Sequence, residues 1–242
     1  MNPVRSMLLI LIVATVVAMP LRAATVPVVQ FEAESRAGWQ VVSICDAAWQ
    51  AEGPALVAQL LPPGASADTI RCVVLDTPSF RRFFGASLPD WGVGAALPNG
   101  HLVALDYSRL PAVGRGAREV FLHEMVHALL FHGASGNWLP TWLHEGAAMR
   151  YGGEWRFTDT VSLLLDGRVP SLVSLQGPFP GAAHRADRAY RTSLLAVDRL
   201  IREYGPEVIP RLVVMTWIAW WLNGYSLKPV LRMMRITLRY AR

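Results

Sequence analysis

His123-Glu124-Met125-Val126-His127 constrains this chain more than any other stretch. It lies inside an apolar run from Val120 to Phe131 that contains neither Gly nor Pro. On an α-helix, residues four apart stack one turn above the other, so His123 and His127 share a face. Two imidazoles so placed can hold one divalent metal from the same side, and zinc is the usual ion at such a pair. Glu124 then lies beside the metal rather than on it, where a base for a metal-bound water is needed. The bland alternative, a helix with two surface histidines and a glutamate, calls for neither a third ligand nor a cleft.

The chain downstream offers the third ligand. The metal helix is predicted from about Ala117 to His132 and is ended by Gly133-Ala134-Ser135-Gly136-Asn137. His132 falls five residues beyond His127, off the ligand face, and reads as a helix-end residue. Pro140 fits near the first turn of a second helix, which Thr141 and Trp142 enter. Glu145 lies 18 positions after His127, enough chain to leave the first helix, turn and come back alongside it. Gly146, Ala147 and Ala148 give the second helix a face small enough to pack close to a neighbour. Two histidines and a glutamate leave one zinc coordination position open, the catalytic arrangement rather than the closed structural one.

His123-Glu124-Met125-Val126-His127 followed by Trp142-Leu143-His144-Glu145-Gly146-Ala147-Ala148 resembles the gluzincin zinc peptidases. Among them it is most similar to the peptidase MA-like domains and more distantly to the aminopeptidase N family. The resemblance implies one zinc ion per chain, with His123, His127 and Glu145 as its ligands and Glu124 as general base. A metzincin would carry Gly three residues after His127 and His six after it, and those positions hold Leu130 and Gly133. The resemblance also implies a role for Tyr190, in the pattern Ala189-Tyr190-Arg191-Thr192-Ser193-Leu194 that opens a helix running to Tyr204-Gly205. It matches the tyrosine whose hydroxyl steadies the tetrahedral intermediate. His184, read in a loop before that helix, is a weaker candidate for the same task.

The first 24 residues read as an export signal. A short basic start at Arg5 precedes an apolar run from Met7 to Ala18, and Leu21-Arg22-Ala23-Ala24 closes it with small residues. The run is too short for a comfortable membrane span and suits a secretory core. The alternative is an uncleaved amino-terminal anchor, and in both cases the body of the protein is exported, periplasmic or secreted. Outside the cytoplasm the only two cysteines, Cys45 and Cys72, read either as one disulfide worth roughly 3 kcal/mol or as two buried thiols. Neither has a second Cys or a His at ligand spacing, which excludes a cysteine metal site.

Val26 to Leu110 reads as strands with one long helix. Strands are expected at Val26 to Phe31 and Ile70 to Leu75, and a helix from Ile44 to Leu61 ending at Pro62-Pro63-Gly64. A short helix is expected within Asp76 to Trp91. Val93 to Leu97 and His101 to Leu105 flank Pro98-Asn99-Gly100 as a hairpin. Zinc peptidases of this kind lay an extended substrate against such an edge strand; an ordinary sheet edge is the other reading. The fold expected is α+β and zincin-like: a small mixed sheet with helices, then a mostly helical half, with the active-site cleft between. The catalytic domain is taken as residues 25–210 and the tail as 211–242.

That tail departs from the resemblance. Leu212 to Leu222 carries three tryptophans and no charge, and at eleven residues it is too short to cross a bilayer. Lys228, Arg232, Arg235, Arg239 and Arg242 follow with no acid, and these five equal the whole chain's formal net charge of +5. Everything before them therefore balances to zero, and setting aside Arg5 and Arg22 leaves a body at −2. The arginines step by three or four into one basic stripe, suited to an anionic membrane surface or to a solvated helix face. No nucleic-acid motif, internal repeat or phosphate-binding glycine loop is present, so nucleic acid is not an expected partner. The function expected is an exported zinc metallopeptidase acting on a peptide or protein substrate. No acidic motif for an amino terminus precedes His123, which points to endopeptidase action. A zinc-binding but inactive module that binds peptides or partners at the cell envelope is the alternative, and the retained base Glu124 argues against it.

Overall fold

The structure is a computed structural model that describes residues 23–65, 69–84, 92–135, 138–153, 169–179 and 183–214. The apolar amino-terminal run, the three tail tryptophans and the basic stripe lie outside the described residues.

The described residues form a mixed α/β fold around a small four-stranded sheet. Strand β1 (Val29–Ala33) is followed by helix α1 (Arg36–Leu60), β2 (Ile70–Leu75), α2 (Thr77–Phe84), β3 (Gly94–Ala96) and β4 (Leu102–Asp106). Helices α3 (Ala117–Gly133), α4 (Thr141–Gly152) and α5 (Ala183–Tyr204) make up the second half, and the chain is helical again over 208–214. The sheet order is β1-β2-β4-β3. β1 pairs parallel with β2 and β2 parallel with β4, while β3 runs antiparallel to β4 in the expected hairpin, Ala95 opposite Ala104. Gly100, at φ +73, supplies the left-handed residue of its turn. No helix among the described residues is long and apolar enough to cross a membrane.

Alternation along the two central strands separates two cores. Cys72, Val74, Val103 and Leu105 face the large cluster shared with α1 and α3. Val73, Leu75, Leu102 and Ala104 face a small cluster closed by Phe80 of α2. Both faces are therefore covered, which suits the continuous apolar runs of β2 and β4. Cys45 and Cys72 are both fully buried free thiols. Burial pushes the Cys45 thiol up to about 12, and Cys72 well above its ordinary range.

In the first half of the chain two elements differ from the sequence expectation at their starts. β1 starts at Val29 rather than Val26, and α1 starts eight residues before Ile44. The cap explains α1: extended Ser35 accepts a hydrogen bond from the Gly38 amide at 3.0 Å, satisfying one of the free donors of the first turn. The apolar period alone begins only where Val42, Cys45 and Trp49 meet the core.

Helix α3 is the structural centre. Phe121, Leu122, Met125, Val126, Leu129 and Leu130 are all fully buried, covering most of its circumference. Phe121 sits 5.8 Å from the ring of Phe31 and 6.5 Å from that of Trp49, tying β1 and α1 to α3. α3 packs against α1, β3 and β4 on one side and α4 on the other, and α4 in turn packs against α5. Gly146 makes the last contact close: a Cβ there would stand 2.3 Å from the Ser193 carbonyl oxygen of α5. Helix propensity alone would make Gly146→Ala stabilising by about 1 kcal/mol. The backbone clash reverses the sign, and we expect chemical denaturation to record a loss of about 1–3 kcal/mol.

Candidate metal centre

His123, Glu124 and His127 lie on the strip of α3 that the core leaves open. Glu119 in the first turn complements the helix dipole at the amino-terminal end. α4 starts after Pro140, extended at φ −59 and ψ 138, and stops at Gly153 in the left-handed conformation at φ +80. Between these signals it has room for one run of three turns, with Glu145 on the side facing α3. Gly152 keeps the far end of α4 close, since a Cβ there would be 3.1 Å from both Cα and N of His123.

This packing converges three donor atoms. His127 Nε2 is 3.1 Å from His123 Nε2, and Glu145 Oε2 is 3.5 Å from each. Tetrahedral zinc with ligands at about 2.0–2.1 Å requires donor separations of roughly 3.3 Å, so His123, His127 and Glu145 could hold one such ion. Two further observations fit a cation. Glu145 Oε2 is buried, and its polar neighbours His123 Nε2 and His127 Nε2 both stand at 3.5 Å, too long for a good hydrogen bond. Burial pushes the Glu145 carboxyl up, but His127 and His123, by charge and hydrogen bonding, more than reverse this and hold it well below the usual carboxylate range. Glu145 is therefore ionised and available as a ligand. Among the described residues this is the one group of three or more His, Cys, Asp or Glu side chains close enough to share a metal.

The donors open onto a cavity of about 850 Å³, comparable to pockets that take small molecules or peptide segments. Glu124 lines it beside the two histidines and is only 8 % exposed. Strand β3 crosses directly over it: a Cβ on Gly94 would lie 2.6 Å from Glu124 Oε1 and 2.8 Å from Val120 Cγ1. Tyr190 lines the same cavity from α5, its ring packed edge-on against Phe179 at 5.1 Å. Gly94, Ala96 and Pro98 bring the hairpin edge to the same cavity, with Phe131 and Trp138 as apolar wall.

The sequence-derived residues His123, Glu124, His127, Glu145 and Tyr190 thus meet in one place. His184 falls in the first turn of α5 instead of a loop, because that helix begins at Ala183 rather than at Ala189. His132, expected outside the ligand set, donates from Nε2 to the Gly100 carbonyl oxygen at 3.1 Å and fastens the hairpin turn to α3. Sequence reasoning missed His144. It is 8 % exposed, its Nδ1 lies 3.3 Å from His127 Nδ1, and its ring packs 4.6 Å from Phe131. Burial, reinforced by the charge of His127 and opposed by Glu145, lowers its pKa to about 3, so it is neutral near pH 7. Its position beside Glu145 was the only available signal.

No protein family, curated protein or solved structure was found to match this chain.

Removal of one donor tests the centre. Wild-type protein is expected to carry one zinc per chain, and Glu145→Ala to lose more affinity than the roughly 10–100-fold that an outer partner costs. Chelator competition measures both, and unchanged affinity in Glu145→Ala would exclude the carboxylate as a ligand.

Proposed function

We propose that the protein is an exported zinc metallopeptidase of gluzincin type with a zincin-like catalytic fold. The observation that carries this reading is the convergence of His123 Nε2, His127 Nε2 and Glu145 Oε2 on the wall of a cavity that Glu124 also lines. Several arrangements support it. The donor set has one carboxylate and two imidazoles, which leaves a position open at a four-coordinate ion. An antiparallel edge strand borders the cavity, and the second half of the described chain is helical. Export follows from the reading of residues 1–24 as a signal.

His123, His127 and Glu145 would hold the ion, and zinc bound there would supply Lewis acidity and lower the pKa of a coordinated water. The rest of the chemistry belongs to the protein. Glu124, one position from His123 and sheltered under β3, takes the proton of the attacking water and returns it to the leaving amine. Tyr190 donates its hydroxyl to the oxygen that gains negative charge. The β3 edge offers main-chain hydrogen bonds to an extended peptide, which selects an unfolded segment rather than a compact surface. Bare Gly94 lets that strand approach the Glu124 carboxylate closely.

Two substitutions separate these roles. Glu124→Gln is expected to keep one zinc per chain and to abolish cleavage of a peptide library. Equal cleavage by both proteins would remove Glu124 as the base, and zinc-loaded wild type that cleaves nothing would favour a binding module. Tyr190→Phe is expected to lower kcat by about 10²–10³, the usual cost of one oxyanion donor, with KM and zinc content little changed. A kcat within twofold of wild type would leave Tyr190 a packing residue.

A further inference from the structure

We propose that His144 is the positioning residue that holds His127 in the tautomer and ring orientation needed to ligate a metal through Nε2. This rests on the metal-centre reading above and concerns a residue outside the donor set. His127 faces the other donors with Nε2 and His144 with Nδ1, the two Nδ1 atoms lying 3.3 Å apart. An imidazole that offers its lone pair at Nε2 carries its proton on Nδ1. His127 must therefore donate from Nδ1, and His144 must accept there, with its own proton on Nε2.

The surroundings of His144 are built for that assignment. It is buried, and Phe131, one turn beyond His127 on α3, packs against its ring at 4.6 Å and 42°. Neighbouring residues on a helix point roughly 100° apart. α4 thus sends Glu145 to the donor cluster and His144 behind the His127 ring. Metal-bound histidines usually donate their second N–H to a carboxylate or carbonyl. Here the group behind the ligand is an imidazole nitrogen at 3.3 Å rather than a carboxylate.

The test uses the full chain with zinc as the probe. Zinc affinity is measured by chelator competition for wild type, His144→Asn and His144→Leu, alongside the zinc-free melting temperature of each. The Asn Oδ1 stands close to where His Nδ1 stands and keeps the acceptor, whereas Leu keeps bulk and loses it. His144→Leu is expected to bind zinc about 10–100-fold more weakly, and His144→Asn to recover most of that loss whatever their melting temperatures. Nitrogen NMR of the zinc-loaded wild type is expected to find a proton on His127 Nδ1 and none on His144 Nδ1, a readout that stands even if the Leu variant does not fold. Wild-type affinity in His144→Leu, equal weakness in both variants, or a proton on His144 Nδ1 would each overturn the assignment. Wild type that takes up no zinc would instead remove the metal centre, and this role with it.

Discussion

Helix α3 is held on nearly every side, and that confinement governs everything at the site. Six fully buried apolar residues lock it between α1, the sheet and α4, so its rotation about its own axis is not free. Cores are close-packed and resist even small volume changes. The one strip left open carries His123, Glu124 and His127, whose relative placement is therefore set by packing rather than by their own contacts. A polar strip on an otherwise apolar helix costs stability, and such local conflicts are expected where function is located.

Close approach of the later helices completes the arrangement. Gly146 lets α4 sit against the backbone of α5, and Gly152 lets its last turn touch the backbone of His123. A side chain at Gly146 would force α4 away from α5, and one at Gly152 would press on the His123 backbone. Because the donor atoms lie only 3.1–3.5 Å apart, a shift of about 1 Å would spoil the geometry for a small ion. The small residues thus set the geometry of the candidate site without lying among its three donor atoms. The same helix places His144 Nδ1 3.3 Å from His127 Nδ1.

Much of this was legible in the sequence, for identifiable reasons. The 123–127 pair and Glu145 could be read because helical spacing fixes the first and chain length permits the second. The hairpin was readable from Asn99-Gly100, where a left-handed residue is required. The start of α1 was not, because its first two turns are set by the Ser35 cap and carry little apolar period. The parallel order β1-β2-β4-β3 was also hidden, since strand pairing depends on contacts far apart in the chain. His144 and Gly94 escaped for the same reason. Their meaning lies in what crosses them, the His127 ring in one case and the Glu124 carboxylate in the other.

The candidate centre brings two imidazole nitrogens and a buried carboxylate oxygen within 3.5 Å of one another, a spacing that one small cation could bridge. Zinc-edge X-ray absorption on the purified protein tests this most directly. The account predicts a shell of nitrogen and oxygen donors at about 2.0–2.1 Å, with the outer signature of two imidazoles. A sulfur shell at about 2.3 Å, or no zinc signal above background after zinc loading, would contradict it.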